Sequence, residues 1–235
     1  MKNRTFIVAL LCGLAGLCSC GKTGIDIDVT DPQEVQWVED IVDDDLMQAF
    51  GEEDIHFGHT PPNLDGISFI LEGLVYDSLI RYRRVINPLT GVTTIEPSYS
   101  SGGGYENATY KHHFYDQVGT IAYQRFYRKA HNQPETEPST IHPTYVIGSG
   151  NDFSAYYRIK TISPEEADPI WAYLVSATIV DDPATGNRYI TNYKLGKKII
   201  ETDGDPVAGY YPGTIMIMRP LDTQPIPCVE WDTNP

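Results

Sequence analysis

The feature that most restricts this chain is a period of two. Along much of its length apolar residues recur at every second position, in runs too short for helices, and Gly, Pro, Asn and Asp punctuate the runs. Residues 145–160 show it most clearly. Gly148-Ser149-Gly150-Asn151-Asp152 supplies residues that accept the positive φ of a tight turn. After it Phe153, Ala155, Tyr157 and Ile159 alternate with Ser154, Tyr156, Arg158 and Lys160. One face of that strand is apolar and the other wet. Two strands alone are marginal in water, so this hairpin needs neighbours.

The neighbours can be read along the chain. Residues 64–76 begin the β region, with Ile67, Phe69, Leu71 and Val75 on one face. Residues 79–86 continue as strand, turn at Asn87-Pro88-Leu89-Thr90-Gly91, and return briefly over 92–95. Residues 98–107 read as a polar, Gly-rich loop. Further strands are expected at about 109–115, 120–127, 141–147, 153–160, 170–180, 188–200 and 213–219. Pro-punctuated links at 133–139 and 163–169, a hairpin loop at 181–187 and a longer loop at 202–212 separate them. Strands at such intervals, with no helices between them, point to an antiparallel sandwich or barrel. The 16 Tyr suit half-buried strands, and 20 Gly with 17 Pro suit many turns. Residues 215–218 are apolar on both faces, so something must cover the outer one.

The start of the chain reads differently. Lys2 and Arg4 precede an apolar stretch over 6–17, too short to span a bilayer as a mature helix, and small residues follow. This is the pattern of a secretory signal, and Leu17-Cys18-Ser19-Cys20 resembles the bacterial lipobox. The resemblance implies cleavage after Ser19 and acylation of Cys20, which would hold the protein on a membrane, since two or three acyl chains anchor stably. Cleavage removes two positive charges from a formal −15 and leaves −17. So acidic a chain repels phosphate backbones, which excludes nucleic acid as a partner. Cys12, Cys18 and Cys20 lie in this segment, so the folded part keeps Cys228 alone, without a disulfide.

Residues 26–54 hold 12 acidic groups and no basic one. Asp31, Pro32 and Glu34 make a helix start, and Val35, Val38, Val42, Leu46 and Ala49/Phe50 form an apolar stripe at helical spacing. Asp43-Asp44-Asp45 can break this helix and cap a second, short one, and Gly51 is a fitting stop. The stripe makes it the candidate to cover the outer side of 215–218. The expected organisation is a signal at 1–19, a lipidated tether with an acidic amphipathic helix at 20–55, and a β domain over 56–235.

Motifs that could carry chemistry fail on context. Gly16 to Thr23 satisfies the P-loop spacing but straddles the leader and its cleavage site. Ser149, between Gly148 and Gly150, lacks the spacing and strand-to-helix setting of a nucleophile elbow. His112 and His113 are strand neighbours and point to opposite faces, His112 inward with Tyr110 and Phe114. His56 and His59 could reach one ion from a loop, and Asp26, Asp28 and Asp31 could hold calcium, but neither set has an established ligand spacing. The expectation is a non-enzyme with no cofactor and no metal.

Three segments carry a further resemblance: Thr60-Pro61-Pro62-Asn63-Leu64-Asp65-Gly66, His113-Phe114-Tyr115-Asp116-Gln117 and Ile147-Gly148-Ser149-Gly150-Asn151-Asp152-Phe153. They are similar to recurrent segments of Bacteroidetes lipoproteins with a lipocalin-like barrel, over roughly residues 40–220. The resemblance implies a mainly β fold, an antiparallel up-and-down β-barrel of about eight strands, and a place in the cell envelope on the outer membrane. It implies no biochemical activity. A barrel of that size is either filled by side chains or holds one small ligand. His112, Phe114, Phe153, Tyr157, Trp171 and Tyr173 stand on the inner face as packed core or as the lining of a site for a small amphipathic or sugar-like molecule. Gly73, Ala155 and Ala177 are expected to leave space for a modest pocket rimmed by Tyr hydroxyls. The alternative role is that of a non-catalytic accessory subunit of an envelope complex.

Overall fold

The computed structural model describes residues 44–130, 139–140, 143–160, 169–202 and 211–231. The leader, Cys20, the tether, Val35, Val38 and Val42 of the expected helix, and Asp26, Asp28 and Asp31 lie outside the described residues. The chain forms a helix α1 (Asp44–Phe50), a 3-10 turn (Glu52–Asp54) and twelve strands. These are β1 (His59–Thr60), β2 (Ser68–Ile86), β3 (Thr93–Ser101), β4 (Tyr105–Val118), β5 (Ile121–Ala130), β6 (Ser139–Thr140), β7 (Thr144–Ser149), β8 (Asp152–Lys160), β9 (Ile170–Asp181), β10 (Arg188–Glu201), β11 (Ile215–Pro220) and β12 (Ile226–Pro227). Eight of them close on themselves in the order β2-β4-β5-β7-β8-β9-β10-β11 and back to β2, each pair antiparallel. The protein is therefore mainly β, built as a closed ring of eight strands. Two stacked, separate sheets would not pair all the way round.

The inner face carries the expected residues. Ile67, Phe69 and Leu71, Tyr110 and Phe114, Phe153, Ala155 and Tyr157, and Tyr173 and Val175 are buried in one cluster, with Trp171 packed against it. The parity breaks twice on β2, first against β4 and again between Tyr76 and Ser78, where the register with β11 shifts. The register with β4 shifts between Glu72 and Leu74, so Leu74 rather than Val75 takes the next inward place. The bulge centres on Gly73, at φ 74°. A Cβ there would lie 2.4 Å from the Tyr105 hydroxyl, so Gly73 marks a close approach and not the free space expected of it. Ala155 and Ala177 are likewise fully buried among the larger side chains. The loop expected over 98–107 is also corrected: β3 runs to Ser101 and β4 starts at Tyr105, which leaves only three residues of turn.

On the outer face, α1 does what the apolar stripe asks of it. Leu46, Met47 and Phe50 are buried with Ile55 against Ile147, Tyr156, Leu174, Ile215 and Ile217. This covers the outer side of β11. The fit requires Gly196, since a Cβ on β10 at that point would come 2.8 Å from Phe50 Cδ2. Two serines that face outward at one register position of β8 and β9 pin the chain after α1. Ser176 Oγ donates to the Asp54 carbonyl (2.5 Å), and the His56 amide donates to Ser154 Oγ (2.9 Å). Lys194 Nζ donates to the Phe50 carbonyl and pairs with Asp54 at 2.6 Å.

The ring is not uniform. Among the described residues β4 and β5 share nine register pairs, whereas β5 and β7 share two, Ile121 with Tyr145 and Ala122 with Thr144. β11 is short, and the chain beyond it completes the wall: β12 pairs with β10, and Cys228 bridges to Phe69 of β2. Trp231 then stacks on His113, ring centroids 4.7 Å apart, on the outer face of β4.

Candidate functional site: a charged cluster inside the ring

The inward sequence of β4 ends in a charge. Glu106, Ala108, Tyr110, His112 and Phe114 alternate with exposed or half-buried residues, and Glu106 is 8% exposed. Tyr193, Leu195 and Lys197 take the inward places on β10, with half-buried Lys194 and Gly196, covered by Phe50, between them, and Lys197 is 4% exposed. Arg128 has the inward parity of Ala122, Gln124 and Phe126 on β5. Antiparallel pairing brings the three charges to the same end of the ring. Lys197 Nζ is 3.2 Å from Glu106 Oε2, and Arg128 donates from Nη2 and Nε to Glu106 Oε1 at 2.7 and 3.1 Å. The Tyr76 hydroxyl donates to Glu106 Oε2 (3.2 Å), and Lys197 donates to the Tyr110 hydroxyl (3.3 Å). Aromatic rings wall the ammonium, with the Trp171 centroid 5.2 Å away and that of Tyr110 5.9 Å away.

The electrostatics follow from this geometry. Burial pushes the Glu106 carboxyl up, but the Lys197 ammonium and the Arg128 guanidinium outweigh it and bring the carboxyl down to about 2. Burial draws Lys197 below the usual lysine range, against the pull of Glu106. Burial and Glu106 raise Tyr110, so its hydroxyl keeps its proton. Two cations, Lys197 and Arg128, contact the one carboxylate of Glu106. An arrangement of this kind can receive an anionic or strongly accepting group while aromatic faces take an apolar one.

The residues expected to line a pocket divide here. His112, Phe114, Phe153, Tyr157 and Tyr173 are buried and in mutual ring contact, with His112 stacked 4.7 Å from Phe69 and Tyr157 5.2 Å from Tyr173. They form the floor of the ring. His112 is fixed at both nitrogens: Gln124 Nε2 donates to Nδ1 (2.7 Å), and Nε2 lies 3.2 Å from the Tyr193 hydroxyl. Burial lowers its pKa to about 3, so the imidazole is neutral. Trp171, partly exposed, reaches the charged cluster. Glu106, Arg128 and Lys197 escaped the sequence reading. The available signal was parity, because each places a charge in an otherwise apolar inward set.

A cleft of about 470 Å³ lies outside the ring, lined by His56, Asp77, Asn192, Lys194, Arg219 and Asp222 among others. Its cations are taken, Lys194 by Asp54 and Arg219 by Asp77, each within 2.7 Å. Among the described residues no group of three or more His, Cys, Asp or Glu is placed to hold a metal ion. Compared with protein-family models, curated proteins and solved structures, the chain matches none.

Proposed function

We propose that this protein is a lipid-anchored, non-enzymatic binding protein with a lipocalin-like barrel. Its ligand is a small amphipathic molecule that presents an acidic group to Lys197 and Arg128 and an apolar body to Trp171 and Tyr173. The observation that carries this reading is the Lys197–Glu106–Arg128 cluster, in which Lys197 and Glu106 are buried and Arg128 is partly exposed. Buried ion clusters seldom stabilise a fold more than apolar residues of the same volume would. Three charges on the inner face of an otherwise apolar ring are therefore better accounted for by what they bind. Two cations meet at this point of a chain of formal charge −15, which favours acidic ligands here.

A thermal-shift screen of fatty acids, bile-acid-like molecules and neutral glycans tests the reading. A ligand at 100 times its dissociation constant adds about 2.7 kcal/mol of stability. Acidic amphiphiles should raise the melting temperature, neutral glycans should not, and Lys197→Met should weaken the effect at least tenfold. If no acidic amphiphile shifts the melting curve, the accessory-subunit reading is the better one.

The anchor is proposed on the sequence, from Leu17-Cys18-Ser19-Cys20 behind a charged and apolar leader. Mass spectrometry of the native N-terminus should find an acylated Cys20. An unmodified protein that begins elsewhere would end this part of the proposal.

A further inference from the structure

β2 is much longer than the ring needs. It pairs with β4 up to Val75 and with β11 up to Ile80, and from Arg81 to Ile86 its partner is β3. Beyond the Tyr82 amide, which donates to Thr214 Oγ1 (3.2 Å), the two strands project as a hairpin arm. Its tip is unlike the rest of the surface. Residues 85–95 carry no charge, and four aliphatic side chains stand in water: Leu89 at 94% exposure, Ile86 at 61%, Val92 at 57% and Ile95 at 46%. Leu89 is the most exposed large hydrophobic side chain among the described residues. Behind the tip come Arg83 and Arg84, with Glu96 opposite Arg83 on the facing strand.

From these observations we propose that the arm tip inserts into the surface of a bilayer that contains anionic phospholipid. The tip satisfies its own amides at residues 87 and 89–92, which lowers the cost of entry into a low-dielectric layer. The Asn87 side chain accepts from the amides of Leu89 and Thr90, the Gly91 amide donates to the Asn87 carbonyl, and the Asn87 amide donates to the Val92 carbonyl. The turn is thus formed before contact and holds Leu89 outward. At about 3.3 Å per strand residue, Arg83 and Arg84 sit roughly 10–20 Å behind the tip, level with headgroups when the aliphatic side chains reach the acyl boundary. Charge selects the same contact, because a body of formal charge −15 is repelled by an anionic surface and the arginine-bearing arm is attracted. A protein partner fits less well. Four aliphatic side chains on a convex hairpin fall short of the roughly 800 Å² per side that a stable complex buries, and the tip offers none of the Trp, Tyr or Arg anchors such interfaces favour. The position of α1 agrees, since it docks beside Ile80 and Ile215 at the base of the arm.

The test places an indole at the tip. The full chain carrying Leu89→Trp is mixed with vesicles of phosphatidylcholine alone or with 30% phosphatidylglycerol, and with brominated lipid as quencher. The signal of the parent chain is subtracted. Emission of the added indole should shift to the blue and lose at least half its intensity to brominated lipid in the anionic vesicles. Arg83→Glu with Arg84→Glu should abolish this without moving the melting temperature. Emission that stays that of a hydrated indole in both vesicles overturns the proposal. So does an equal shift in neutral vesicles that ignores the arginine changes, or a shift that needs added envelope proteins.

Discussion

His112 shows how one residue ties the centre of the ring to the pH of its surroundings. Stacked between aromatic rings and bonded to Gln124 and Tyr193, it stays neutral, with its pKa lowered by burial from 6.5 to about 3. Above pH 6.5 neither the folded nor the unfolded chain protonates it, and its contribution is complete. Between 6.5 and about 3 the unfolded chain takes up a proton that the folded one refuses, so stability falls by about 1.4 kcal/mol per pH unit. Urea unfolding of wild type and His112→Phe across this window should differ in slope by about that amount, whatever the neutral-pH stability of the variant. Equal slopes would mean that the imidazole is not held neutral. Glu106 acts lower on the scale, where its contribution disappears as pH falls from 4.5 toward about 2.

At the level of elements, the short helix α1 is held by packing rather than by its own propensity. Seven residues are too few for a stable isolated helix. Phe50 is fully buried over Gly196, with the Lys194 ammonium 5.0 Å from its ring centroid. Phe50→Ala should cost about 3–5 kcal/mol in denaturant unfolding. Gly196→Ala should also destabilise, because its Cβ would press on Phe50, and the two changes together should cost less than their sum. Strict additivity would show that helix and sheet do not meet at this point. The same element shows what sequence could and could not deliver. The stripe through Leu46 and Phe50 announced a docked helix and its target, while Gly196 looked like any glycine in a strand.

Across the whole molecule, the fewest register pairs in the ring among the described residues join β5 to β7, two against nine between β4 and β5. Backbone hydrogen bonds flanked by few neighbours open most readily. In native-state hydrogen exchange the amides of Ile121 and Val146 should therefore exchange well before those of residues 109–115 in β4. The β2–β3 arm beyond Tyr82, a two-stranded unit, should exchange faster still. Uniform protection around the ring would contradict this order.

Much of this architecture is written in local pattern. The period of two fixes which side chains of 67–71, 110–114, 153–157 and 171–175 face inward, because alternation is a property of the strand itself. The antiparallel order follows from short links, and the cover over β11 from its two apolar faces. Register is different, since it depends on partners far along the chain. The bulge at Gly73 that brings Leu74 inward, and the one around Asn192 that sets Tyr193, Leu195 and Lys197 on the inner side, exist only because β4 and β9 impose them. The charged cluster is of this second kind. Glu106, Arg128 and Lys197 come from three strands up to 91 residues apart, and only closure of the ring puts them within hydrogen-bond distance, with Glu106 and Lys197 out of water and Lys197 beside Trp171.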